Sequence, residues 1–174
     1  YQLDLESNAI TADDAQRVLV GHLQHLYERI VETQLNSSGP LGWLRQRLFA
    51  SEQAVGSIQG LYIWGGVGRG KTYLMDVFFE SLPCESKMRT HFHRFMQRVH
   101  RDLASLQGQK NPLEHVADRI ATESRVLCFD EFFVRDIGDA MILAGLLEAL
   151  FKRHLILIAT SNIEPDRLYE DGLQ

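Results

Sequence analysis

The segment Gly65-Gly66-Val67-Gly68-Arg69-Gly70-Lys71-Thr72 fits the pattern G-x-x-x-x-G-K-[ST] at every fixed position. It constrains the fold, because such a loop works only between a strand and a helix. The flanking residues supply both. Leu61-Tyr62-Ile63-Trp64 is a short apolar run that reads as a buried strand, and Tyr73 to Phe79 has the spacing of a helix packed on it. Glycines let the backbone curl until successive N–H groups face inward at the positive end of the helix, where phosphate oxygens are held. Lys71 is then placed to reach the β- and γ-phosphates of a nucleotide, and the Thr72 hydroxyl to ligate Mg²⁺. The nucleotide-binding positions are therefore Gly65, Gly66, Val67, Gly68, Arg69, Gly70, Lys71, Thr72 and the adjoining Tyr73. The rings of Trp64 and Tyr73 read as packing rather than base-stacking groups, since aromatics are mainly core material.

Two further strand ends carry chemistry. Val126-Leu127-Cys128-Phe129 is a continuous apolar run of the kind buried on both faces of a parallel sheet, and it ends in Asp130-Glu131. Two acids closing a strand are common in isolation; after a phosphate loop in the same chain they acquire roles. Asp130 is placed to hold Mg²⁺, directly or through water, and Glu131 is the candidate base for an attacking water. Leu155-Ile156-Leu157-Ile158-Ala159 is another buried strand and terminates in Thr160-Ser161-Asn162. Alone, that triplet is an ordinary turn former. At the carboxyl end of a strand in an open α/β sheet it lies where ligands bind, so Asn162 is read as touching the γ-phosphate or orienting the water.

Strands alternating with helices predict a parallel sheet with helices on both faces. A first helix opens at Thr11 as N-cap and runs to about Val31, with an apolar stripe of Ala15, Val18, Leu19, Leu23, Leu26, Tyr27 and Ile30. Asn36 to Pro40 breaks it, and a short helical piece spans about Gly42 to Ala50. Met88 to Phe95 reads as the second strand, followed by helical spacing at Met96, Val99, Leu103 and Leu106. Asn111-Pro112-Leu113-Glu114 is a helix start with Asn as N-cap. A helix from about Ile137 to Lys152 is expected to bury Ala140, Met141, Ala144, Leu147, Leu150 and Phe151. Residues 1–56 are read as a helical flank of the same domain, and 57–174 as the nucleotide-binding core.

With 174 residues, 45% hydrophobic and 24% charged, the chain has the make-up of one globular domain. A net charge of −5 without a Lys/Arg run gives no expectation of broad attraction to DNA, RNA or anionic membrane. Two cysteines, Cys84 and Cys128, make no disulfide framework, and a reducing, cytoplasmic setting fits them. No apolar run approaches the roughly 20 residues that span a bilayer, which leaves peripheral membrane association open. The chain opens on Tyr1 rather than Met and reads as a fragment.

The segment His91-Phe92-His93-Arg94-Phe95 allows three readings. On a strand, period-2 alternation would place His91 and His93 on one face as metal ligands, although no spaced Cys/His partners complete a set. The pair could instead be structural. In the third reading, His93 or Arg94 holds the Glu131 carboxylate away from water until a partner binds.

With these residues assembled, the chain resembles the AAA+ branch of phosphate-loop ATPases, and within it the bacterial cell-division ATPases with mitochondrial relatives. The resemblance covers essentially the whole chain. It rests on Gly60 to Thr72, on His91-Phe92-His93-Arg94-Phe95-Met96 and on Leu127 to Phe132. It rests also on Ala159-Thr160-Ser161-Asn162 followed by Pro165, Leu168-Tyr169 and Gly172-Leu173. The phosphate loop alone would not separate this family from many others; the H-F-H-R-F and D-E-F-F segments do. The resemblance implies that Lys71 and Thr72 bind ATP and Mg²⁺, Asp130 coordinates the metal, Glu131 activates water and Asn162 is the first sensor. It further implies ATP-dependent action on FtsZ polymers or another division-ring protein, by a homo-oligomer when full length.

AAA+ modules continue into a fifth strand, an arginine finger offered to the neighbouring subunit and a helical lid. The sequence stops at Gln174, before all of these. The phosphate-loop strand is accordingly expected at a sheet edge. Binding of ATP·Mg²⁺ with weak turnover is also expected, since an arginine finger is worth about 10³–10⁵ in rate. Arg135, Arg153 and Arg167 are the nearby substitutes. Two other functions share the motifs: a nucleic-acid-associated AAA+ loader, disfavoured by the acidic charge, and a non-hydrolysing nucleotide switch or scaffold, disfavoured by Glu131. No N-K-x-D-like motif points to a GTPase, and no Arg-rich lid to a small-molecule kinase.

Overall fold

Continuous apolar strands must be covered on both faces, and here they are. The computed structural model describes residues 14–37, 58–134 and 136–168, with side chains of the first helix to residue 33. The expected Thr11 cap, the 42–50 helical piece, Arg135, Tyr169, Gly172 and Leu173 lie outside the described residues. In chain order the elements are α1 (Asp14–Ser37), β1 (Leu61–Trp64), α2 (Lys71–Ser81), β2 (Lys87–His91) and α3 (Phe92–Ser105). They continue with α4 (Pro112–Glu123), β3 (Val126–Asp130), α5 (Ile137–Lys152) and β4 (Ile156–Ser161), then a 3₁₀ turn at Pro165–Arg167. The strands form one four-stranded sheet in the order β1-β4-β3-β2, parallel throughout.

Alternation along the strands divides the core in two. Leu127 and Phe129 of β3 join Phe92, Phe95, Met96 and Val99 of α3, Val116 and Ile120 of α4, and Leu143, Leu146 and Leu150 of α5. Val126 and Cys128, with Ile156 and Ile158 of β4, instead meet Leu74, Met75 and Phe78 of α2 and Leu23, Leu26 and Ile30 of α1. Burying each large apolar side chain is worth about 1.5–3 kcal/mol, so both layers are needed to hold the sheet. Cys84 and Cys128 are free and buried, and burial pushes the Cys128 thiol up to about 12. No helix among the described residues is long and apolar enough to cross a membrane.

Several expectations are corrected. The second strand stops at His91, and α3 begins at Phe92 without a linker. Over five residues H-F-H-R-F satisfies period 2, but Phe92, Phe95, Met96 and Val99 satisfy the helical period and are all buried. Aromatic packing decides it: the Phe92 and Phe95 rings lie 5.5 and 4.7 Å from that of Phe129. His91 and His93 therefore do not share a strand face. His91 is the extended residue before the helix, His93 is in its first turn, and their rings stack at 5.9 Å.

In α5 the buried residues are Leu143, Leu146, Ala149 and Leu150, whereas Met141 and Phe151 are exposed. A helix this apolar gives periodicity little contrast to work with. Val18 of α1 and Trp64 of β1 are exposed as well; Trp64 ends an edge strand with a neighbour on one side only. Helix α4 starts where predicted, but Asn111 adopts a left-handed backbone (φ 54°) and offers no side-chain cap; its carbonyl accepts the Glu114 N–H at 3.1 Å.

β1 lies at an edge of the described sheet and pairs only with β4, from Leu61↔Ile158 to Trp64↔Ser161. Gly60, just before it, leaves no room for a side chain: a Cβ there would lie 1.8 Å from the Leu157 carbonyl oxygen. Gly60→Ala is therefore expected to push β1 from β4 and cost at least about 1–3 kcal/mol. A thermal melt checks it, and an unchanged Tm would contradict this close approach.

Candidate nucleotide-binding site

The loop between β1 and α2 is built on backbone that L side chains rarely adopt. Gly68 and Gly70 have φ of 81° and 75°, the left-handed region that glycine enters at little cost. Gly70 is also the residue before α2 and has no side chain with which to cap it. The positive end of α2 thus opens directly onto the loop. Lys71 Nζ donates to the carbonyls of Gly65 (2.7 Å) and Gly66 (2.9 Å) and to Asn162 Oδ1 (2.9 Å). Its three N–H donors thereby join the end of β1 to the end of β4. Partial burial pulls the Lys71 ammonium below its ordinary range.

Residues 67–73, from the loop into the first turn of α2, line a cleft of about 410 Å³, closed on its other side by Glu131, Thr160, Ser161 and Asn162. Three segments that the sequence singled out separately therefore meet. Tyr73 is half-buried and packs against the α1/α2 core as well as lining the cleft. Asp130 is placed differently. Its two carboxylate oxygens accept from Arg89 Nε (2.8 Å) and Nη2 (3.1 Å), its side chain is 13% exposed, and it is not among the residues lining the cleft.

Sequence reasoning missed the groups that aim Glu131. Glu131 has φ 54°, a conformation that costs a non-glycine residue about 1–3 kcal/mol and persists only when its surroundings impose it. Here β4 imposes it. The Glu131 N–H donates to Thr160 Oγ1 (3.4 Å), and the Phe132 N–H to the Thr160 carbonyl (2.7 Å). Thr160 Oγ1 donates to the Phe129 carbonyl (3.3 Å), and Ser161 Oγ to the Phe132 carbonyl (2.6 Å). Both side chains are buried, so these bonds are made without competition from water. Beyond Asn162, the Ile163 N–H donates to Ser161 Oγ (3.0 Å) and the Tyr62 hydroxyl to the Ile163 carbonyl (2.7 Å). The signal was present in the sequence as two hydroxyl residues closing an apolar strand, but it reads equally as a turn.

The donor chemistry of Thr72 and Asp130, a hydroxyl and a carboxylate, suits a hard cation such as Mg²⁺. Among the described residues no group of three or more His, Cys, Asp or Glu side chains could hold a metal ion. Mg²⁺ needs no such cage, since it keeps waters and takes one or two protein oxygens beside the phosphates. Of the arginines named as finger substitutes, Arg153 is committed to Asp118 (2.8 Å) and Glu114 (2.7 Å) on α4.

Comparison with known proteins places this site in context. Over its full length the chain is 49% identical to the cell division protein ZapE of Escherichia coli (strain K12), covering 48% of that protein. Over 67% of its length it is 46% identical to lactation elevated protein 1 homolog B of Danio rerio, covering 25% of that protein. The chain thus spans about half, or less, of the length of these relatives. Its fold is similar to that of AMPPCP-bound DnaA from Aquifex aeolicus, with a TM-score of 0.50 at 18% identity over 77% of this chain and 42% of that one. Residues 1–174 match the AFG1-like ATPase family model throughout, and the chain belongs to that family.

Proposed function

We propose that this chain is the nucleotide-binding core of a Mg²⁺-dependent ATPase that remodels a protein partner, FtsZ polymers of the bacterial division ring. One observation carries the catalytic part of the reading: Lys71 at the start of α2 and Glu131 and Asn162 just past the ends of β3 and β4 line one cleft whose floor is a glycine loop at a helix N-terminus. In this reading the loop and Lys71 hold the β- and γ-phosphates of ATP, with Gly65, Gly66, Val67, Gly68, Arg69, Gly70 and Tyr73 shaping the cradle. Glu131 accepts a proton from the attacking water, and the Asn162 amide orients that water or the γ-phosphate. Thr72 and Asp130 are the residues that would hold Mg²⁺, which supplies neutralising charge to the phosphates. The 49% identity to the Escherichia coli cell division protein supports a division-ring partner; a cytoplasmic homo-oligomer, when full length, is part of the same proposal. Residues 1–56 are read as a flank of the same domain; the packing of α1 on α2 supports this.

Lys71→Ala is expected to abolish tight nucleotide binding, because a charge-assisted contact of this kind is worth about 1.5–3 kcal/mol. Calorimetric titration with ATP·Mg²⁺ reads it directly, and an unchanged affinity would mean that the loop holds no phosphate. Glu131→Gln should keep affinity but slow hydrolysis by about 10²–10⁴, since the amide cannot accept a proton. Loss of affinity together with turnover would make Glu131 structural instead.

Thr160→Val tests how Glu131 is aimed. It removes the hydroxyl under a left-handed residue and should lower stability by about 1–3 kcal/mol. Turnover should fall further than ATP affinity; equal losses in both would show that Thr160 only supports the fold. The partner assignment is checked by light scattering of FtsZ filaments mixed with the full-length protein. A change that requires ATP and is not reproduced by a non-hydrolysable analogue is expected, and filaments indifferent to ATP would reject FtsZ as the partner.

A further inference from the structure

Before His91, strand β2 contributes no motif, yet two of its side chains reach α2. Lys87 Nζ donates to the Phe79 and Leu82 carbonyls at the C-terminal end of that helix (2.6 and 2.9 Å) and lies 4.7 Å from the Phe79 ring centroid. Arg89 does more. Its Nε and Nη2 form a fork on Asp130, and its Nη1 is paired with Asp76 of α2. One guanidinium thus joins the carboxylate at the end of β3 to the helix that begins in the phosphate loop. Asp76 is four residues after Thr72, one turn along the same helix face. The pairing follows from the register, in which Arg89 lies opposite Cys128 and His91 opposite Asp130.

The chemistry favours this arrangement over two unpaired acids. Asp76 and Asp130 carry like charges, and Arg89, with its side chain 19% exposed, lies between them. A planar guanidinium can satisfy both at once, which a lysine ammonium does with less geometric control. Burial works against the Arg89 charge, but the hydrogen bonds to Asp130 and Asp76 outweigh it and raise its pKa above the usual value.

We propose that Arg89, anchored by Asp76, is a positioning residue for the metal carboxylate: it fixes the orientation of Asp130 and ties it to the helix carrying Thr72. The inference rests on reading the cleft as a Mg²⁺·nucleotide site. Arg89 touches neither nucleotide nor metal in this scheme. Its loss should therefore appear in the metal dependence of binding, while Lys71 and the loop continue to hold the phosphates.

The experiment titrates Mg²⁺ into the chain with a fluorescent ATP analogue, alongside a metal-free series in EDTA, for wild type, Asp76→Asn, Arg89→Lys and Arg89→Met. Arg89→Met is expected to raise the half-saturating Mg²⁺ concentration by about 10–100-fold, as loss of a partner behind a metal ligand does. Asp76→Asn should shift it less in the same direction, Arg89→Lys should restore part of the loss, and metal-free affinity should stay at the wild-type value throughout. Circular dichroism checks folding. Should Arg89→Met fail to fold, Asp76→Asn carries the comparison, because that carboxylate is 55% exposed and its replacement leaves no buried charge unpaired. Wild-type Mg²⁺ dependence in the folded variants, or a metal-free affinity that falls in step with it, overturns the proposal. A wild-type chain that binds the analogue in neither buffer overturns the nucleotide site itself, and the proposal with it.

Discussion

The insertion of β4 between β1 and β3, in parallel register with both, is the constraint on which the rest depends. Parallel strands end on the same side of their sheet, so loops far apart in sequence converge at one rim. The register is fixed by burial. Because side chains alternate faces, a slip of one residue would exchange Leu127 and Phe129 with Val126 and Cys128 and unmake both core layers. The same register sets Trp64 opposite Ser161, which brings the phosphate loop beside Asn162. The contact of Lys71 with Asn162 at 2.9 Å is thus a product of hydrophobic packing below it. Polar chemistry at the rim inherits its precision from apolar strands that take no part in it.

Where β4 reaches that rim, its composition changes from Ile and Leu to Thr160 and Ser161, and both stay buried. A buried hydroxyl without a partner costs about 1–3 kcal/mol, so such residues survive only where every bond is made. Here they are made to the backbone of 129–132 and to Ile163. These bonds are what allow Glu131 its left-handed backbone. Strain at Glu131 is offset a few ångströms away, by hydroxyl groups of the neighbouring strand. Tyr62 extends the same logic to the residue after Asn162, reaching across from β1 to hold the Ile163 carbonyl.

What was legible in the sequence follows from how each signal arises. The alternation of elements and the strand–loop–helix context were readable, because a phosphate loop and continuous apolar strands leave few alternatives. The boundary between β2 and α3 was not. Five residues with two histidines and two phenylalanines fit either period, and only contact with Phe129 and Phe132 settles it. The buried face of α5 was hidden for the opposite reason, since nearly every position there is apolar. In the candidate site, Lys71 was picked out by motif spacing, and Glu131 and Asn162 by their places at the ends of apolar strands. Arg89, Asp76 and Tyr62 were not, because each acts through a partner distant in sequence and no local pattern encodes such a pairing, while Thr160 showed only as one of two hydroxyl residues that read equally as a turn.

The two cations of β2 show how a strand without a motif shapes a site. Helix α2 is held at its N-terminal end by the contacts of Lys71, near its middle by Asp76 and Arg89, and at its C-terminal carbonyls by Lys87. Its apolar face is fixed by Leu74, Met75 and Phe78. Tethers at three heights resist rotation of the helix, so adjustment around a phosphate is expected of the glycines that precede it. Gly68 and Gly70 are suited to this, being the positions whose backbone has the widest freedom. Rigid strand ends and a restrained helix leave the compliance in the loop itself, where a bound anion would draw the backbone N–H groups together.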